Sequence, residues 1–99
     1  MRYPKQTTPI TEGINRRFFA AIEALVAAGK LKSLSAFCTE FDLYSPRYRE
    51  MRLTYGITPK PEYKSRYINI EMDALYHICN TYYISAEWLL TGKGEMLKK

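Results

Sequence analysis

Between Ser33 and Arg52 the chain reads SLSAFCTEFDLYSPRYREMR, and the two halves of that run obey different rules. In the first half, Leu34, Phe37, Cys38 and Phe41 fall on one face of a helix of about two and a half turns. Asp42 follows where the chain must turn sharply, and Asp is one of the few residues other than Gly that tolerate left-handed backbone angles. Leu43 then plugs the corner. Ser45 before Pro46 is a helix-start signal, because serine caps free N–H groups and proline prefers the first helical position. A second helix is therefore predicted from Pro46, with Tyr48 and Met51 facing inward and Arg47, Arg49, Glu50 and Arg52 outward. Two short helices joined by a tight turn, the second one basic, leave few architectures open.

The remaining segments are helical as well. From Thr11 to Gly29 the apolar stripe is Ile14, Phe18, Ile22, Leu25 and Val26, with Thr11 as the expected N-cap and Gly29 as the stop. Phe19 lies off that stripe and either widens the buried face, the favoured reading, or marks a contact surface. Met72, Leu75, Ile78, Cys79 and Tyr82 repeat at helical spacing over 70–82, with Asn69 as candidate cap, and Ser85 to Gly92 forms another short helix. The link 53–69 exceeds the roughly 12–15 residues of ordinary connections, so it carries function or structure of its own. Its two ends have the composition to pair as a small hairpin, although Pro59 and Pro61 confine pairing to the outer parts.

Size and charge narrow the functions. A chain of 99 residues is one domain, expected to bury roughly 60 to 70% of its unfolded surface. We divide it into an N-terminal arm 1–10, a helical domain 11–96 and a basic tail 97–99. The net charge of +5 suggests an anionic partner. No run reaches the roughly 20 apolar residues of a membrane span, and the first residues do not read as a signal peptide, so a cytoplasmic protein without membrane contact is expected. Cys38 and Cys79 fall on apolar helix positions and read as small core residues rather than a disulfide. With His77 they make at most three metal ligands, at spacings that preorganise no site. No carboxylate pair, Cys-His nucleophile or Gly-rich phosphate loop is present, so no enzyme activity, cofactor or small-molecule ligand is expected.

The run 34–53 resembles the helix-turn-helix of the Cro/C1-type, lambda-repressor-like family. In that motif the fourth, eighth, tenth, fifteenth and eighteenth places are apolar, and here they hold Phe37, Phe41, Leu43, Tyr48 and Met51. The fifth place is small and the ninth usually Gly; here they hold Cys38 and Asp42, two chemically reasonable departures. The string SAEWLLTGKGEM is similar to the final helix of many such regulators. Together the two signatures cover about residues 14–96 and imply an all-α, compact bundle of about five helices with a central helix-turn-helix.

The resemblance implies a sequence-specific binder of double-stranded DNA, a transcriptional regulator that acts by occupying an operator, and suggests a phage or mobile-element origin. Charge supports it: from Tyr44 to Tyr67 stand Arg47, Arg49, Arg52, Lys60, Lys64 and Arg66 against Glu50 and Glu62, with Tyr44, Tyr48, Tyr55, Tyr63 and Tyr67 among them. Arg49 is the first choice for a base contact, because guanidinium binds guanine O6 and N7 bidentately. Tyr44, Ser45 and Arg47 resemble the family's groove-entry positions, and Glu50 and Arg52 complete the groove set. Ser33 and Ser35 are natural phosphate donors, and Lys60, Lys64 and Arg66 form a backbone-tracking patch or, failing that, a solvated loop. Near-palindromic operators ask for a twofold homodimer, expected through Trp88, Leu89 and Met96, with the N-terminal arm second. The alternative is a protein-interaction module of the same fold, antitoxin-like or adaptor, using the tyrosine-rich segment. RNA binding through tyrosine stacking stands third.

Overall fold

Helix α1 (Pro9–Ala27) starts before the apolar stripe does, because Thr8 is a better N-cap than Thr11: its hydroxyl accepts from the Thr11 N–H, and proline occupies the first helical position. The expected arm 1–10 is correspondingly shorter. The computed structural model describes residues 8–98, and residues 1–7, which hold most of that arm, lie outside the described set. Ala28 closes α1 and Gly29 follows at φ 76°, a conformation glycine adopts without strain.

Four further helices complete an all-α bundle: α2 (Leu34–Glu40), α3 (Ser45–Tyr55), α4 (Met72–Tyr82) and α5 (Ala86–Thr91). No strand forms among the described residues, and the hairpin allowed for 53–69 is absent. None of their helices is long and apolar enough to cross a membrane.

One core joins all five. Phe18 sits edge-on to Phe19 at 5.2 Å and to Phe37 at 5.8 Å, so α1 and α2 meet through aromatic rings. Cys38, Tyr48 and Met51 fill the space with them, all fully buried. Each such side chain contributes about 1.5–3 kcal/mol by leaving water, and the edge-to-face ring pairs add roughly 0.5–1.5 kcal/mol. Phe19 is fully buried, as a wider core face requires. Asn15, only 1% exposed, is a core polar residue outside the apolar pattern; its Nδ2 donates to the Ile68 carbonyl at 2.8 Å and pins the end of the long link to α1.

Two expectations for the C-terminal third are corrected. Helix α4 starts at Met72, with Glu71 rather than Asn69 in the cap position, and Met72 is 82% exposed instead of facing the core. The inward face is built by Ala74 and Ile78, and the Glu71 carboxylate accepts from the buried Tyr48 hydroxyl at 2.8 Å. After Gly92, at φ 79°, the chain folds back: Ser85 N–H donates to Met96 O at 2.7 Å and Lys98 N–H to Tyr83 O at 2.8 Å, around an antiparallel bridge between Ile84 and Leu97. Arg17 Nε donates to Leu89 O at 2.8 Å and ties α1 to α5.

Candidate nucleic-acid interface

The corner between α2 and α3 forms as the sequence predicts. Asp42 takes left-handed angles, φ 57°, and the Leu43 N–H donates back to Cys38 O at 2.8 Å, reversing the chain within three residues. Its far side differs from expectation. Ser45 is the first residue of α3 rather than its cap; Tyr44 holds the cap position without a side-chain bond. Helix α3 also runs three residues past Arg52, because Tyr55 still finds the core; Gly56 then ends it, where an added Cβ would lie 2.5 Å from the Arg52 carbonyl oxygen.

Three faces of α3 have distinct occupants. Tyr48, Met51 and Tyr55 are buried. Pro46 and Arg49 lie on the opposite, exposed side, and the Arg49 guanidinium makes no hydrogen bond or ion pair with any described residue. On the flank between stand Arg47, Glu50 and Thr54, about one helical turn apart.

That flank holds the second half of the long link. Thr54 Oγ1 donates to Tyr63 O at 3.3 Å and accepts from Ser65 N–H at 2.9 Å. Glu50 Oε2 accepts from Arg66 N–H at 2.8 Å, and Oε1 meets the Arg66 guanidinium at 3.1 Å. Arg47 Nη2 donates to Asn69 O at 2.7 Å. The order 54, 50, 47 on the helix meets 63–65, 66, 69 on the link, so this segment runs antiparallel along α3 as a strap. Tyr67 lies under both the Arg47 and Arg66 guanidinium groups, 4.9 and 5.3 Å from its ring centre. Hydrogen bonds from Arg66, then its charge, hold the Glu50 carboxyl below its ordinary value of 4.5. Within the strap, exposure alternates as in an extended chain: Tyr63, Ser65 and Tyr67 are half-buried, whereas Lys64 and Arg66 face solvent.

The proposed contact residues thus separate. Arg49 and Tyr44 are exposed, Tyr44 by 65%. Lys60 and Lys64 are exposed on the link, and Ser35 on α2. Glu50 and Arg47, expected to reach the groove, are instead engaged with the strap. Arg52 leans the other way, 4.0 Å from Glu23 on α1. Ser33 caps α2, accepting from Ala36 N–H. At the expected dimer surface, Leu89 is 1% exposed and has no side-chain surface to offer; Trp88 and Met96 are half-buried, and the neighbouring Leu90 is exposed.

A comparison of the chain with models of known protein families, with curated proteins and with solved structures returns no match. Thr54, Ser65 and Asn15 are not distinguished by the sequence, which marks Tyr67 only as one tyrosine of the basic segment. Their roles are polar contacts across 2 to 53 residues of chain, with no periodicity to betray them.

Proposed function

We propose that the protein binds double-stranded DNA, with α3 entering the major groove and Arg49 reading a base edge, and that it regulates transcription by occupying its site. The observation that supports this reading most is the state of Arg49: a guanidinium on the open face of the second helix of a tight helix-turn-helix corner, without an ion pair to any described residue. Internal partners would hold such a group back from guanine; among the described residues none has to be released first. The exposed cations Lys60 and Lys64 on the adjoining link supply a sequence-independent attraction to phosphates. The resemblance of 34–53 and 85–96 to Cro/C1-type regulators points the same way.

Selection from a pool of random duplexes tests the reading. The expected result is enrichment of a short site with at least one guanine per half, bound with an affinity that falls log-linearly with salt. Recovery of an unenriched pool, with no duplex affinity at moderate salt, would remove it. A twofold dimer fits the same function, now through exposed Leu90 beside half-buried Trp88 rather than through Leu89, and sedimentation with and without the selected duplex checks it.

One observation favours a protein partner instead. Met72, Tyr76 and Leu90 border an open groove of about 400 Å³ between α4 and α5, and all three are substantially exposed. On that reading duplex affinity would be weak and salt-insensitive.

A further inference from the structure

An acidic residue on the flank of a DNA-reading helix is an electrostatic oddity, because a carboxylate facing phosphates repels them. Glu50 is such a residue, yet it does not stand free. Its Oε2 accepts from the Arg66 backbone N–H and Nε and from the Ser65 hydroxyl, its Oε1 accepts from Arg66 Nη2, and with Thr54 and Arg47 it fixes three successive points of the strap.

We propose that the strap and α3 form one composite surface for a nucleic-acid backbone, and that Glu50 is the positioning residue that sets it: it holds Lys64 and Arg66 beside the groove-facing side of α3, where they meet phosphates. The proposal rests on the duplex-binding reading. Three features argue for it. Exposure alternates along the strap, and the outward set in its middle is Lys64 and Arg66 while the inward set is Tyr63, Ser65 and Tyr67. The Arg66 side chain remains 78% exposed while paired, which leaves guanidinium surface for a phosphate oxygen. And a link of this length, left loose, would have to be ordered on binding; docking it in the free protein removes that entropic penalty.

The reading makes a prediction opposite in sign to simple charge counting. Removing a carboxylate from a DNA-facing surface ordinarily strengthens binding. If Glu50 positions the strap, Glu50→Ala should instead weaken it. The measurement is the dissociation constant for a mixed-sequence duplex across a salt series, for wild type, Glu50→Ala, Glu50→Gln and Lys64→Ala, with a thermal melt of each. For Glu50→Ala we expect about tenfold weaker binding at moderate salt and a salt slope reduced by about two, one for each displaced cation. Lys64→Ala should reduce the slope by about one. Glu50→Gln keeps an acceptor for the Arg66 N–H and should fall between Glu50→Ala and wild type. Amide exchange at Arg66 should speed up in Glu50→Ala while the melt stays cooperative. A Glu50→Ala protein that binds the duplex as tightly as wild type or more tightly, with an unchanged slope, overturns the positioning role while the wild-type curve leaves the duplex reading intact. A wild-type chain without duplex affinity overturns both.

Discussion

Helix α3 is held on two sides by different chemistry. Against the core it lays Tyr48, Met51 and Tyr55, buried among Phe18, Phe37 and Cys38. Against the strap it lays Arg47, Glu50 and Thr54, whose contacts are hydrogen bonds and one ion pair, mostly exposed. The core side draws on several burials of about 1.5–3 kcal/mol each, is non-directional and responds little to salt. The strap side draws on bonds of about 0.5–1.5 kcal/mol each and on one ion pair whose arginine stands in solvent and is screened by salt. The lesson is a separation of labour: one side fixes where α3 is, and the other fixes what lies next to it and can loosen without unfolding the domain.

Substitutions on the core side should have the largest effects. Cys38 is fully buried, so Cys38→Arg places a charge in the core and should abolish cooperative folding, whereas Cys38→Ala should cost about 1 kcal/mol. A Cys38→Arg protein that melts like wild type would mean that the two sides of α3 are not as different as described.

Alkaline pH probes the same side. Burial pushes the Cys38 thiol up from 9.0 to about 11. The folded state thus keeps the proton longer than the unfolded chain, so this contribution is fully present below pH 9.0 and is lost as pH rises through about 11. Screening by nearby solvent keeps this contribution to about 1–2 kcal/mol. Burial and the Glu71 hydrogen bond push the Tyr48 phenol up in the same sense. Denaturant titrations at several pH values should show stability falling over this range in wild type, and falling less by about that amount in Cys38→Ala.

The core side is also the side that could be read in advance. Phe18, Ile22, Leu25, Phe37, Tyr48 and Met51 are buried at the places their helical spacing assigns, and Asp42 takes the left-handed turn expected of it. Apolar periodicity is a local signal, and a residue every three or four positions suffices to carry it. The strap has no such signal. Its contacts join Glu50 to Arg66 and Thr54 to Ser65, polar pairs whose partners depend on how the link returns. The same limit explains why Glu50 and Arg47 read as groove residues: on a helix surface, a side chain destined for DNA and one destined for a loop look alike. Met72 misleads for another reason. It continues the stripe of α4, but the helix begins at that residue, on a turn with no neighbour to cover it.

On the strap side the effects should be small and local. Thr54→Val keeps shape but removes the bonds to Tyr63 and Ser65, and should lower global stability by no more than about 1 kcal/mol while amide exchange at Ser65 accelerates. Acid should do the same without mutation. Glu50 has its folded pKa below 4.5, so its contribution is present above that value and is lost as pH falls through the lower folded value. Nuclear magnetic resonance of the Arg66 amide should report release of the strap under those conditions before the core signals change. Simultaneous loss of both would merge the two sides into one cooperative unit.

The central claim is that the open face of α3 reads a duplex and that Arg49 does the reading. Its most direct test is the affinity of wild type and Arg49→Ala for the selected duplex and for every single-base change within one half-site. The account predicts a loss of about 1–3 kcal/mol on the preferred site and flattened discrimination at one base pair, with the other positions still distinguished. Unchanged affinity, or a uniform loss across all sequences, would contradict it.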